Sequence, residues 1–138
     1  MQRSKSNKGF SLIELIIVIA IMAVLVGILA PQFISYMHKS KVAADWANLK
    51  AYYSEIEIDY IDTGEHNPAV PTMHETPNSY NLTEIHFLDG RTVKLKAGSY
   101  IICRSTTTQG GYQIIYYCDK NYSDPEKHNK TCQLVLGL

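Results

Sequence analysis

The residue types that most often carry chemistry are spread along this chain without the spacing of a recognisable site. The five histidines form no HExxH pattern, and no CxxC pair occurs. Glycine-rich phosphate loops, nucleophile elbows and paired catalytic carboxylates are also absent from the sequence. A zinc site is arithmetically possible but lacks a close ligand pair; its four ligands would be Cys103, Cys118, Cys132 and His128. We therefore predict no bound metal, no cofactor and no enzymatic activity.

One carboxylate, Glu14, lies in an unusual setting. Residues 10–30 comprise 21 positions, of which only Ser11, Glu14 and Gly27 are not apolar. At a rise of about 1.5 Å per residue, a helix formed by this segment is long enough to cross the hydrocarbon core of a membrane, which is about 30 Å thick. The segment is longer than the apolar region of a signal peptide, which has about 7–15 residues. It also does not end in a small-x-small cleavage site. It is predicted to be a single-pass membrane anchor.

The charges before the apolar run predict how this anchor is oriented in the membrane. Arg3, Lys5 and Lys8 precede the apolar run with no acid among them, so the N-terminus is predicted to stay in the cytoplasm. The whole chain has a formal net charge of zero, which argues against nucleic acid as the main partner. Without residues 1–9, 10 basic and 13 acidic residues would remain, a net charge of about −3.

A plain anchor does not explain Glu14. An ionisable residue costs up to about 3 kcal/mol at the centre of a membrane helix, and less near the interface. Such residues usually have a partner. The alternative is a carboxylate that extends to the lipid headgroups without any specific role.

The N-terminal residues resemble those of a type IV pilin precursor: a basic leader ends in Lys8-Gly9, and FSLIEL then opens a long apolar run. The resemblance implies that a prepilin peptidase cuts between Gly9 and Phe10 on the cytoplasmic side and methylates the new N-terminal Phe10. It also implies that the helices later form a filament core, in which Phe10 and Glu14 take part in subunit assembly. The corresponding segments would be a cleaved leader (1–9), a membrane and filament-core helix (10–30) and a globular head (31–138).

After Pro31 the apolar pattern becomes amphipathic. Apolar residues recur at steps of 4, 3, 4, 3 and 4, namely Val42, Trp46, Leu49, Tyr53, Ile56 and Tyr60. We predict one helix from Phe10 to Asp62, in which 31–62 is the amphipathic half. Thr63-Gly64 would end it. Pro31 removes a helix hydrogen bond, which predicts a bend or a local opening around Gly27–Pro31.

The rest of the chain has the pattern of a loop followed by strands. Residues 63–83 contain three prolines and no periodicity, and 84–138 are predicted to form an antiparallel sheet. Asp89-Gly90 predicts a type I′ hairpin, and Gly110-Gly111 a second hairpin. Gln133 to Leu136 forms the last apolar stretch. The predicted fold class is α+β: a long N-terminal helix packed on a four- to five-stranded antiparallel sheet, as in pilins.

Three cysteines allow one intramolecular disulfide. If Gly110-Gly111 is a two-residue turn, Cys103 lies opposite Cys118 with Cα atoms about 5.5 Å apart. This separation falls within the range of disulfides, about 4.4–6.8 Å. The pilin resemblance suggests the alternative Cys118–Cys132, because many Gram-negative pilins close a loop near the C-terminus. Cys103–Cys118 is the preferred pairing, and both remain open.

The predicted function is that of a structural subunit of a type IV pilus, serving adhesion, twitching motility or DNA uptake. Its implied partners are other copies of the chain, the prepilin peptidase, and assembly machinery in the cytoplasmic membrane. The subunit would reside in that membrane before assembly and on the cell surface afterwards. One alternative is a pseudopilin of a type II secretion or competence system. Another is a monomeric membrane-tethered binding domain, which would need neither the Gly9-Phe10 junction nor Glu14.

Overall fold

The structure is a computed structural model, and it describes residues 9–73, 80–105, 110–118 and 132–137. In these ranges the chain forms one helix, α1 (Leu12–Thr63), followed by five strands. The strands are β1 (Glu84–His86), β2 (Thr92–Lys94), β3 (Ser99–Arg104), β4 (Tyr112–Tyr117) and β5 (Gln133–Leu136). The chain divides into two compact units, Met1–Met37 and His38–Leu138, which we call the N-terminal unit and the head unit.

The single long helix predicted from the sequence is confirmed. It begins at Leu12, two residues later than expected, and ends at Thr63. Gly64 follows it with a positive φ of 74°, and the Gly64 N–H donates to the Tyr60 carbonyl at 2.8 Å. This is the left-handed cap that a glycine provides at a helix C-terminus. The end of the helix is therefore fixed by local sequence.

The predicted α+β class is also confirmed, but the strands do not form a single sheet. β1 pairs with β2 in one antiparallel sheet, while β3, β4 and β5 form a second one in that order. The two sheets are connected by an isolated bridge, in which Leu82 and Tyr100 exchange backbone hydrogen bonds of 2.9 Å. The expectation of one continuous sheet was wrong because the segment between β2 and β3 binds to α1 instead of continuing the ladder.

The β1–β2 hairpin forms where Asp89-Gly90 predicted it, with a different turn. The Gly90 N–H donates to the Phe87 carbonyl, and the Phe87 N–H donates to the Arg91 carbonyl. Only Gly90 of the loop residues has a positive φ, 89°, whereas a type I′ turn requires positive φ at two positions. The connection is a three-residue loop with glycine in the left-handed position, so the hairpin was predicted correctly and its turn type was not.

The β3–β4 register differs from the one predicted from Gly110-Gly111. Arg104 pairs with Tyr112, and the Ser105 N–H donates to the Gly111 carbonyl, so the connection is longer than two residues. Both glycines have positive φ, and a side chain on them would collide with Tyr60 and Glu57 of α1. The glycine pair is thus required where backbone passes close to the helix, not as a tight turn.

The core of the head unit lies between one face of α1 and the sheets. The buried helix residues recur at steps of 3, 4, 3 and 4: Val42, Asp45, Leu49, Tyr52 and Ile56. They pack with side chains of the strands that include Ile85, Tyr100, Ile102 and Ile114. The sequence-based face is rotated slightly from this one, since Trp46, Tyr53 and Tyr60 are only partly buried.

Asp45 is the charged residue of that buried face. Its side chain is 0% exposed. The carboxylate accepts backbone hydrogen bonds from Lys96 at 2.7 Å, Ala97 at 2.8 Å and Gly98 at 3.2 Å. The Tyr116 hydroxyl donates a fourth at 2.9 Å. Burial of a carboxylate is tolerated when donors surround it in this way, and here it holds the β2–β3 connection against the helix.

Candidate processing and assembly site

The residues around the predicted cleavage point form a helix start. The Ser11 N–H donates to Glu14 Oε2 at 3.0 Å, and the Glu14 N–H donates to Ser11 Oγ at 3.3 Å. The Leu15 N–H donates to the Ser11 carbonyl at 3.3 Å. This reciprocal pattern is a capping box, in which a serine at the N-cap and a glutamate three residues later satisfy each other's backbone donors.

The capping box gives Glu14 a role that the sequence reasoning missed. A serine or threonine followed three residues later by glutamate, just before an apolar run, is a recognised signal for a helix start. The signal is present in Ser11-Leu12-Ile13-Glu14. It explains why α1 begins at Leu12 and leaves Phe10 outside the helix, where the sequence had predicted it to lie inside. Gly9 and Phe10 accordingly have non-helical backbone and exposed side-chain positions.

Nothing within the described fold requires a glycine at position 9. A Cβ atom built on Gly9 would meet no heavy atom within 4 Å, and Gly9 is not among the glycines with positive φ. Gly98 is the opposite case, because a Cβ there would overlap the Tyr117 carbonyl oxygen and the Tyr116 ring. A glycine that the fold itself does not need fits a site where another molecule approaches the backbone closely.

The apolar residues of the N-terminal unit are exposed in a single chain. The large apolar side chains from Phe10 to Met37 are 45–93% exposed. In the described residues, α1 is the one helix that is long and apolar enough to cross a membrane, by length and composition alone. Such a continuous apolar surface is not stable in water and requires lipid or other protein around it.

The helix continues through Gly27–Pro31 without interruption. The local opening that was predicted as one alternative for this segment is therefore not present in the isolated chain. Pro31 has no N–H to donate to the Gly27 carbonyl, so α1 lacks that one hydrogen bond. The bend around Gly27–Pro31 stays a prediction.

The preferred disulfide, Cys103–Cys118, was wrong, and the alternative pairing is the one present. The sulfur atoms of Cys118 and Cys132 are bonded, with Cα atoms 5.7 Å apart. Their positions continue the β4–β5 register, in which Tyr117 faces Gln133, and the Cys118 N–H donates to the Cys132 carbonyl. Cys103 instead faces Gln113 on β4 and keeps a free thiol. Partial burial raises the pKa of this thiol above its usual value.

No metal centre is formed by the residues that the structure describes. No group of three or more histidine, cysteine, aspartate or glutamate side chains in these ranges could hold an ion. Two of the four zinc ligands considered from the sequence, Cys118 and Cys132, are bonded to each other in the disulfide. Its remaining histidine, His128, lies outside the described residues.

Comparisons with known proteins match the same N-terminal residues. Residues 4–30 fit the family model of the prokaryotic N-terminal methylation motif. The chain is 48% identical over 48 residues to the type IV major pilin protein PilA of Myxococcus xanthus. The N-terminal segment is therefore similar to that of type IV pilins. The Gly9-Phe10 junction and the capping box both lie within the matched motif.

The similarity to pilins also extends into the head. Two fimbrial proteins of Pseudomonas aeruginosa are each 33% identical to the chain over 86 residues, which is 62% of this chain. The matches span 22% of the Myxococcus pilin and 55% of each fimbrial protein, so about half or less of each relative is covered. No solved structure matches this chain. The motif and the exposed apolar helix fit a membrane-anchored precursor.

Proposed function

We propose that this chain is a structural subunit of a type IV pilus. In this proposal residues 1–9 are a cytoplasmic leader, residues 10–30 anchor the subunit in the membrane and later form the filament core, and residues 31–138 form the head. A prepilin peptidase cuts between Gly9 and Phe10 and methylates Phe10. Assembly machinery in the cytoplasmic membrane then adds the subunit to a surface filament. The chain performs no catalysis of its own.

The observation that carries the proposal is the exposed apolar surface from Phe10 to Met37 behind a glycine that the fold does not need. A membrane tether would account for the apolar surface but not for Gly9. A filament subunit accounts for both, because the peptidase reads the glycine and the helices of neighbouring copies cover the apolar surface. The basic leader keeps the cleavage site at the cytoplasmic face, since Arg3, Lys5 and Lys8 resist transfer across the membrane.

Glu14 takes part in two contacts in this scheme. In a single chain its carboxylate accepts the Ser11 N–H and caps the helix. After cleavage, Phe10 has a new α-amino group, which is mostly protonated near neutral pH because such groups titrate at about 7.7–8.0. In a helix bundle with little water, the Phe10 ammonium of an incoming copy is attracted strongly to Glu14 of a docked copy. This pairing sets the axial position of each subunit, while the apolar faces supply adhesion.

Two substitutions separate the contacts. Glu14→Gln keeps the cap, because glutamine also serves at this position of a capping box, but removes the charge. Glu14→Ala removes both. We expect both variants to be inserted and cleaved normally, and neither to form filaments. Mass spectrometry of the N-terminus in membranes and the yield of sheared surface filaments are the two measurements.

Each outcome has a distinct meaning. A mature chain that begins at Met1 or Gln2 would refute the pilin assignment and favour a membrane tether. Cleavage at Phe10 without surface filaments, together with a secretion or uptake defect when the protein is absent, would favour a pseudopilin. Normal filaments from Glu14→Gln but not from Glu14→Ala would show that Glu14 acts only as a helix cap. Normal filaments from both would show that the carboxylate needs no partner.

A further inference from the structure

The tip of the β1–β2 hairpin contains a residue pair that is prone to spontaneous rearrangement. Asp89 precedes Gly90, and glycine has no side chain to keep its nitrogen away from the aspartate side chain. The Gly90 nitrogen can attack Asp89 Cγ and expel water, which forms a cyclic succinimide. Water then opens either carbonyl of the ring, and one product is isoaspartate, in which the main chain continues through the side-chain carbon. The net reaction is an isomerisation that needs no co-reactant other than water.

The hairpin depends on this residue pair. Gly90 has a φ of 89°, which residues with a side chain rarely adopt, so the turn favours glycine at this position. Asp89 stabilises the same turn, because its Oδ1 accepts the Arg91 N–H at 2.9 Å. The loop is also open to solvent, since the Asp89 side chain is 44% exposed. The turn chemistry thus places a reactive pair where water can reach it.

Other contacts engage both reacting groups in the folded hairpin. The Gly90 N–H must be lost before its nitrogen can attack, and it donates to the Phe87 carbonyl at 3.1 Å. Both oxygens of Asp89 bind Arg91: Oδ1 accepts the backbone N–H, and Oδ2 accepts the side-chain Nε–H. Arg91 is itself held in place, because its Cζ lies 4.6 Å from the centre of the buried Phe87 ring. Attack on Cγ therefore requires release of the nucleophile and of the carboxylate together.

The charge of Arg91 acts in the same direction. Ring closure expels water readily from a neutral carboxyl group, whereas a carboxylate repels the incoming nitrogen and has a poor leaving group. The backbone and side-chain hydrogen bonds from Arg91 lower the pKa of Asp89 below its usual value. A lower pKa means a smaller neutral fraction at a given pH. The reactive form of Asp89 is therefore scarcer in the folded hairpin than in an unfolded chain.

We propose that Asp89-Gly90 is a site of isoaspartate formation in this chain and that the Arg91 side chain protects it. Isoaspartate adds one carbon to the main chain of the loop, and the β1–β2 ladder that the loop aligns has three residue pairs. Isomerisation would therefore disturb the register of the hairpin. Arg91 preserves the head over time, which is separate from assembly, and the reaction can be followed whether or not the chain forms filaments.

Ageing of the full chain in detergent micelles tests this protection. Samples are kept at physiological temperature from mildly acidic to neutral pH. Isoaspartate at position 89 is then quantified by peptide mapping with electron-transfer fragmentation, which distinguishes the two isomers although their masses are equal. We expect the folded wild type to form isoaspartate at least about tenfold more slowly than the same chain unfolded in urea, because the hairpin must open locally before ring closure.

Substitutions in the hairpin identify the contribution of the Arg91 side chain. Arg91→Ala should raise the rate about fivefold, a modest factor because the ion pair is exposed. It should also move the decline of the rate with rising pH to higher pH, because the pKa of Asp89 is then lowered less. Lys94→Ala is the matched control, since it removes an exposed cation from the neighbouring strand β2, and it should change neither the rate nor the pH profile. Arg91→Met keeps an apolar contact with Phe87, has the same expected results, and replaces Arg91→Ala if that variant does not fold.

Each contrary result has a defined consequence. Equal rates in the wild type and the Arg91 variant, or equal increases in the Arg91 variant and Lys94→Ala, would overturn the role of Arg91. A faster Arg91 variant with an unchanged pH profile would also overturn it, since general opening of the hairpin would explain the increase. Equal rates in the folded and urea-unfolded wild type would overturn protection by the fold. A chain that forms no isoaspartate at position 89 even in urea would refute the site itself.

Discussion

The buried carboxylate of Asp45 provides a quantitative test of how the head unit is held together. It lies on α1, is 0% exposed, and accepts four hydrogen bonds from residues 51–71 positions away in the sequence. Asp45 Oδ1 accepts from Lys96, and Oδ2 accepts from Ala97, Gly98 and the Tyr116 hydroxyl. The perturbation that we consider is Asp45→Asn, which preserves the volume and replaces one oxygen with an amide group.

The expected loss of unfolding free energy in Asp45→Asn follows from this geometry. If the asparagine carbonyl takes the place of Oδ2, three donors keep an acceptor, but the new NH₂ group faces the Lys96 N–H, and both are donors. One charge-assisted hydrogen bond is lost, and the remaining three are weakened because the acceptor is no longer ionised. Hydrogen bonds to charged groups contribute about 1.5–3 kcal/mol each, so we expect a loss of about 2–4 kcal/mol of unfolding free energy. For a domain of this size that corresponds to a decrease in melting temperature of roughly 10–20 °C.

The measurement is thermal unfolding of the full chain in detergent micelles, followed by near-ultraviolet circular dichroism, which reports tyrosine packing in the head. Asp62→Asn is the matched control, because Asp62 lies on the same helix at an exposed position. It should change the unfolding free energy by less than about 0.5 kcal/mol. A melting temperature of Asp45→Asn equal to that of the wild type would refute the conclusion that this carboxylate holds the β2–β3 connection to the helix.

Three further outcomes follow from the head structure and use the same preparation. Gly98→Ala should lower the unfolding free energy by about 1–3 kcal/mol, because its Cβ would overlap the Tyr117 carbonyl and the Tyr116 ring; unchanged melting would contradict this. Cys132→Ser should lose about 3 kcal/mol, as expected for opening a loop closed across 14 residues, and added reductant should then have no further effect on this variant. Cys103 should react with maleimide more slowly than a thiol in the unfolded chain. Its rate should rise only at higher pH, because burial raises the pKa of the thiol and the fold favours the neutral form until the pH passes that value. A rate equal to that of the unfolded chain would be inconsistent with burial.

Elements that depend on local signals could be predicted from the sequence. The apolar run defines the first part of α1, and Gly64 ends the helix because only glycine readily adopts the left-handed cap. Asp89-Gly90 marked the first hairpin, and the apolar residues from Gln133 to Leu136 form β5. In each case the residues that determine the structure are neighbours in the sequence.

Features that depend on loop length or distant contacts could not be predicted. The cysteine pairing relied on a two-residue turn at Gly110-Gly111, yet the connection from β3 to β4 includes Ser105 to Gly111. The register consequently changes and places Cys103 opposite Gln113. The burial of Asp45 could not be predicted for a similar reason: its donors are backbone groups far along the chain, and a hydropathy pattern treats every carboxylate as exposed.

Glu14 has two roles in our proposal: it caps the helix locally, and its charge pairs with a cation. The cap by itself needs only an acceptor three residues after Ser11, and glutamine would supply it without the free-energy cost of a charge in an apolar segment. A carboxylate is the less favourable residue at this position unless a cation approaches it. None of the 21 positions from Phe10 to Ala30 carries a basic side chain. Cleavage after Gly9 would create the missing cation at Phe10, so the charge on Glu14 and the glycine that the fold does not need have one explanation in common. Filament yield from Glu14→Gln, which keeps the cap and removes the charge, decides whether that explanation is correct.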